Sequence, residues 1–314
     1  MGGVDDLEHL AAGYRDFAAH DARGRSPLYG ELAAGVAADE DLLAWLSGLP
    51  RGKRQPNLLF AAARLIAGTP DGWDAFRAVV AERRDELEAV MLARRTQTNE
   101  AARCALMLPL LASLRQPLAL LEVGASAGLC LLPDRYAYDY EGHRVGDGRP
   151  VLRCRPEGDV PLPARLPEVA WRAGLDLEPI DIRDPERVRW LELLIWPGEE
   201  YRLRTLHGAL EVARADPPRV VRGDLTTDDL RELAAEAPRE ATLVIFHTAV
   251  LFYVPRAGRE RFRATVGELG ATWIACEGPR VLGLEPGPPS RMALTLDGRR
   301  VAWADGHGAA LRWG

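Results

Sequence analysis

A chain of 314 residues, 47% hydrophobic and 27% charged, holds enough apolar material for a full α/β domain beside a smaller one, which excludes disorder as the default. The formal charge of −6, with arginines interleaved among acids as in Glu82-Arg83-Arg84-Asp85-Glu86, argues against nucleic acid as a partner. Cys104, Cys130, Cys154 and Cys276 lack the short spacing of a metal site or redox dithiol, and no apolar run reaches the roughly 18 residues of a membrane span. With no apolar leader in sight, the expected setting is soluble and cytoplasmic, without a metal or a membrane partner; oligomeric state is left open.

The first third reads as helical. Leu7, Leu10, Ala11, Tyr14 and Phe17 recur at helical spacing, followed by Asp39 to Leu46 and by Leu58, Phe60, Ala61, Leu65 and Ile66. Ser26-Pro27, Gly48 to Gly52 and Gly68 to Gly72 punctuate these stretches as turns. A charged helix over about Trp73–Arg94 and another over Ala101–Leu114 complete a helical lid domain, 1–115.

From 116 onward strands and helices alternate. Strands are expected at Leu118–Val123, Val169–Leu175, Val220–Arg222, Ala241–Phe246 and Trp273–Cys276, with helices between most of them. Tyr136, Tyr138 and Tyr140 fall in an insertion over about 133–167, in a hairpin whose tyrosines pack on one face. The Asp297-Gly298 turn joins two final antiparallel strands. The expected fold is α/β: a mostly parallel Rossmann-like sheet ending in an antiparallel hairpin, over 116–314.

Chemistry is expected at the turn Glu122-Val123-Gly124-Ala125-Ser126-Ala127-Gly128, where a strand enters a small-residue loop that lets a ligand approach the main chain. Ser126 and Leu129 stand where a dinucleotide fingerprint requires glycine. The pattern instead resembles motif I of class I S-adenosylmethionine-dependent methyltransferases. Glu122, Gly124, Ala125, Ser126 and Gly128 are then candidates for holding the cofactor's methionine end. Asp176, ending the second parallel strand, is the candidate for the ribose, with Asp181 as an alternative, and Asp224 is the candidate for the adenine. His247 and Tyr253, at the exit of the fourth strand, are candidates for positioning or deprotonating an acceptor, although a structural role explains a lone histidine there as well.

The same residues also match G-x-S-x-G, the nucleophile elbow of serine hydrolases, with Ser126 as nucleophile, His247 or His307 as base and Asp224 or Asp305 as orienting acid. The long helical stretch upstream and the missing His-Gly-Gly run count against that reading.

Several segments taken together resemble the DUF2332 family of uncharacterised bacterial proteins: Gln55 to Phe60, Gln97 to Glu100 with Arg103, Val123 to Leu129, Arg172 to Leu177, Val221 to Asp224 and Phe246 to Leu251. The resemblance implies a helical region joined to a methyltransferase-like domain and supplies no substrate. Gln55, Asn57, Gln97, Asn99 and Glu100 become candidates for orienting a small polar substrate beneath the lid. The expectation is an S-adenosylmethionine-dependent transferase. Intramolecular use of the sulfonium, a serine hydrolase and a non-catalytic nucleoside binder remain as alternatives.

Overall fold

The computed structural model describes residues 4–289 and 291–314. Six helices come first: α1 (Val4–Asp16), α2 (Pro27–Ala38), α3 (Glu40–Gly48), α4 (Pro56–Ala67), α5 (Trp73–Glu82) and α6 (Arg84–Ala93). Next are α7 (Cys104–Ser113), β1 (Leu118–Val123), β2 (Ala137–Tyr140), β3 (His143–Val145), β4 (Val151–Arg153), β5 (Arg155–Glu157) and β6 (Val169–Asp176). The remainder is α8 (Pro185–Leu193), α9 (Glu200–Ala215), β7 (Val220–Arg222), α10 (Asp229–Ala234), β8 (Thr242–Thr248), α11 (Arg256–Glu268), β9 (Thr272–Glu277), β10 (Arg291–Leu296), β11 (Arg299–Asp305) and β12 (Ala310–Trp313).

The chain divides into two compact units, residues up to 98 with 185–203, and residues 99–184 with 204–314. In the first unit, Phe60 is ringed by Tyr14, Phe17, Tyr29 and Phe76, with ring centroids 4.8–6.4 Å from its own. Helix α2 lies where only a turn was expected. Its start is nonetheless written in Ser26, whose hydroxyl accepts from Tyr29 N, and in Pro27 at the first turn. The expected helix over 73–94 breaks at Arg83, which adopts φ −128° and ψ 31° between α5 and α6.

Segment 185–203 joins this helical unit because Arg64 Nη1 donates to the carbonyls of Leu193 (2.8 Å) and Ile195 (2.7 Å), satisfying acceptors at the end of α8. Trp190, Leu193, Leu194 and Trp196 extend the same core.

The boundary between the units precedes α7 and does not fall at 115. Eight residues of α7, Cys104 to Leu111, are buried, so it has no solvent face to present as a surface lid helix. The Tyr140 hydroxyl donates to the Ala105 carbonyl at 2.7 Å within the second unit.

The second unit is built on a nine-stranded sheet ordered β5-β12-β11-β10-β9-β8-β1-β6-β7. Strands β7, β6, β1, β8 and β9 run parallel, and their spatial order reads third, second, first, fourth and fifth in chain order, reversing beside β1. The expected terminal hairpin β10–β11 is present, but the sheet does not end there: β12 adds antiparallel to β11 and β5 adds parallel to β12.

No α-helix follows β1. The turn leads into a single 3-10 turn, Leu129–Leu131, and then into a separate three-stranded sheet ordered β3-β2-β4. Tyr136, Tyr138 and Tyr140 are buried there, their hydroxyls donating to the carbonyls of Leu129, Pro133 and Ala105, so they are packing groups. No helix among the described residues is long and apolar enough to cross a membrane.

Candidate functional site

The carboxyl ends of the parallel strands place several predicted residues side by side. Glu122 is the penultimate residue of β1, aligned with Gly174 of β6 and Phe246 of β8. Asp176 ends β6, one step beyond the pairing of Val123 with Leu175. The turn between them is folded onto β6: Gly124 N and Ala125 N donate to the Leu175 carbonyl at 2.8 and 3.3 Å, and Ser126 N donates to Asp176 Oδ2 at 2.8 Å.

These bonds correct one expectation about the turn. Gly128 N donates to the Ala125 carbonyl and Leu129 N to Asn99 Oδ1, so most of its N–H groups are spent within the protein. Nor do its glycines leave open space. A Cβ on Gly124 would lie 2.4 Å from a Val250 methyl, and one on Gly128 would lie 2.8 Å from Pro218, so both glycines are explained by close packing at positive φ. Ala125 is buried, and its Cβ fills the space beside Gly174.

What the turn does offer is side-chain chemistry. Ser126 sits at φ 55°, a left-handed conformation uncommon for a residue with a side chain. Its Oγ and Glu122 Oε2 are both buried without a hydrogen-bond partner. Burial pushes the Glu122 carboxyl well above its ordinary range, helped by Cys130 and Asp176 and opposed by Arg103. Burial therefore favours the protonated carboxyl, the form in which Glu122 is a hydroxyl donor. Asp176 accepts from Ser126 N and, through Oδ1, from Glu178 N at 2.8 Å.

Around this edge lie residues that sequence reasoning missed or cast in another part. Arg103, 6% exposed, donates from Nε to the Gly306 carbonyl (2.8 Å) and from Nη1 to the carbonyl and hydroxyl of Thr248 (both 3.1 Å), tying the end of β8 to the β11–β12 turn. Glu100 is buried, and its carboxylate lies 3.2 Å from His307 Nδ1. Glu277, the last residue of β9, is fully buried and accepts at Oε1 from His247 Nδ1 (2.7 Å), Val250 N (2.6 Å) and Leu251 N (2.9 Å). A signal for Glu277 was available in the sequence, an acid closing an apolar strand before Gly278-Pro279.

His247 is fully buried, with both nitrogens engaged: Nδ1 faces Glu277 and Nε2 accepts from Trp273 Nε1 at 3.0 Å. Neither nitrogen is left to take a proton from an acceptor, so its visible work is to fix Glu277. Tyr253 is 56% exposed, its ring against Phe252. Asp224 closes its own turn, Oδ1 accepting from both the backbone N and the hydroxyl of Thr226, and Asp181 accepts from Arg183 N.

The expected substrate-facing residues divide between the two units. In the helical unit, Gln55 accepts from the Thr96 hydroxyl and donates to the Gly52 carbonyl, Asn57 Oδ1 is buried without a partner, and Gln97 lies in the irregular segment after α6. Asn99 and Glu100 belong with the sheet. The serine-hydrolase geometry is not assembled, because the Ser126 hydroxyl has no imidazole partner and Asp305 accepts from His307 N and Ala309 N of its own turn. Among the described residues no group of three or more His, Cys, Asp or Glu could hold a metal ion.

Neither the curated proteins nor the solved structures contain a match to this chain. A family match does cover nearly its whole length, over residues 11–313, and so the chain belongs to the DUF2332 family, described as uncharacterized proteins conserved in bacteria.

Proposed function

We propose that the sheet-bearing unit is a Rossmann-like, class I methyltransferase-type domain that binds S-adenosylmethionine at the carboxyl ends of β1 and β6 and transfers from it to a small polar acceptor. The observation that carries this reading is the meeting of Glu122, Ser126 and Asp176 at the edge where the parallel strand order reverses, with two buried polar atoms there lacking partners. In doubly wound sheets ligands bind outside the strand carboxyl ends at such a reversal.

The residues fit the group in chemical type. The Glu122 carboxyl, in the protonated form that its burial favours, and the Ser126 hydroxyl are donors suited to the carboxylate of an amino-acid moiety. Asp176 is an acceptor suited to ribose hydroxyls, held in place by the Ser126 and Glu178 amides. When bound, the sulfonium supplies an activated methyl group, which leaves orientation and exclusion of water to the protein. Glu277 contributes by pinning the 250–251 backbone, and Val250 in turn packs on Gly124.

Isothermal titration of the full chain with S-adenosylmethionine and S-adenosylhomocysteine tests the reading. Saturable binding of both is expected; a folded protein that binds neither refutes it.

A further inference from the structure

The helical unit carries a groove of about 750 Å³, within the usual size range of small-molecule sites, and Glu122, Ser126 and Asp176, which carry the transferase proposal, are not among its lining residues. It is lined by Asp6, His9, Leu10, Gly13 and Tyr14 of α1 and by Arg51, Arg54, Gln55 and Pro56 at the start of α4, all of one unit.

Its charges are unevenly spent. Arg54 is engaged at all three nitrogens: Nε donates to the Leu49 carbonyl, Nη2 to the Ser47 carbonyl, and Nη1 pairs with Asp6 at 2.9 Å. That pairing neutralises the acid of the groove. Tyr14 is committed too, its hydroxyl donating to the Arg54 carbonyl at 3.1 Å. Arg51 and His9 are exposed, and among the described residues no carboxylate pairs with Arg51. The groove therefore presents a guanidinium with no carboxylate partner among the described residues, in a lining that also holds Leu10, Gly13 and Pro56. Helix α4 begins at the same place without a side-chain cap, adding the positive end of its dipole where Gln55 and Pro56 line the groove.

We propose that this groove is a second ligand site, independent of the sheet edge, which takes a small organic anion: a phosphate or carboxylate group held by Arg51, carried on an apolar body lying along Leu10 and Pro56. A guanidinium binds either oxyanion through paired N–H donors, and its strength there exceeds that of a neutral hydrogen bond. The proposal goes beyond the transferase reading, and its failure would leave that reading untouched.

Phenyl phosphate is the probe, titrated calorimetrically into the full chain at fixed ionic strength, with phenol as the uncharged control. Saturable binding of phenyl phosphate, weakened about tenfold or more by Arg51→Ala with an unchanged circular dichroism spectrum, is expected. Because Arg51 is exposed and its side chain supports no other group, this variant should fold normally. Absence of saturable binding, equal binding of phenol, or binding unaffected by Arg51→Ala overturns the proposal.

Discussion

Glu277 Oε1 and His247 Nδ1 lie 2.7 Å apart with both side chains wholly removed from solvent, and Trp273 completes the chain by donating to His247 Nε2. The donor at Nε2 requires that nitrogen to keep its lone pair, so Nδ1 carries the hydrogen that faces Glu277. Replacing His247 by Leu removes one of three donors to a buried carboxylate. A loss of about 2 kcal/mol in urea unfolding is expected, in line with leaving a buried acceptor short of one hydrogen bond. A loss under about 1 kcal/mol would show that Glu277 is not held this way.

Glu122 makes stability fall as pH rises. Its carboxyl is raised well above 4.5 in the folded protein, chiefly by burial, so between the unfolded value and the folded one the native state binds a proton that the unfolded chain releases. The stabilisation from this group is complete below the unfolded value and is lost as pH climbs toward the folded one, by at most about 1.4 kcal/mol per pH unit. Glu122→Gln mimics the protonated form and should flatten that slope, raising Tm at pH 8 relative to the native chain while leaving it nearly unchanged at pH 4. An unaltered slope would mean that Glu122 is ionised in the fold.

Much of the architecture is legible in the sequence because it rests on local periodicity. Strands at 118–123, 169–176 and 272–277 are apolar runs bounded by turn residues, and they are read correctly to within one or two positions. The allocation of segments was not legible. Helix α7 pairs with the sheet because it is apolar on every side, and 185–203 joins the helical unit through Arg64, a contact across 129 residues of chain to Leu193. The role of the glycines was also hidden, since the Val250 and Pro218 atoms that crowd Gly124 and Gly128 come from distant loops. His247 shows the same limit. Its position at a strand exit was visible, whereas Glu277 and Trp273, which occupy its two nitrogens, lie 30 and 26 residues away.

Asp176 is expected to matter for both fold and ligand. Asp176→Asn leaves one acceptor oxygen where Ser126 N and Glu178 N each need one, setting an amide N–H₂ against a backbone N–H. A stability loss of about 1–3 kcal/mol is expected, together with at least a tenfold rise in the Kd for S-adenosylmethionine by titration at a temperature where the variant stays folded. Unchanged affinity would remove Asp176 from the ligand site.

Ser126 should be inert as a nucleophile. Its Oγ is buried without a hydrogen-bond partner, and His247 is already committed on both nitrogens. A fluorophosphonate probe should leave Ser126 unlabelled by peptide mass spectrometry after prolonged incubation. Labelling abolished by Ser126→Ala would instead establish a serine-hydrolase site.

Hydrogen–deuterium exchange of the full chain, with and without S-adenosylmethionine, tests the central claim most directly because it reports both binding and its place. Slower exchange is predicted in peptides covering 122–130 and 174–180, where the turn and Asp176 meet. Saturating ligand with no protection in either segment, or protection confined to the helical unit, would contradict the account.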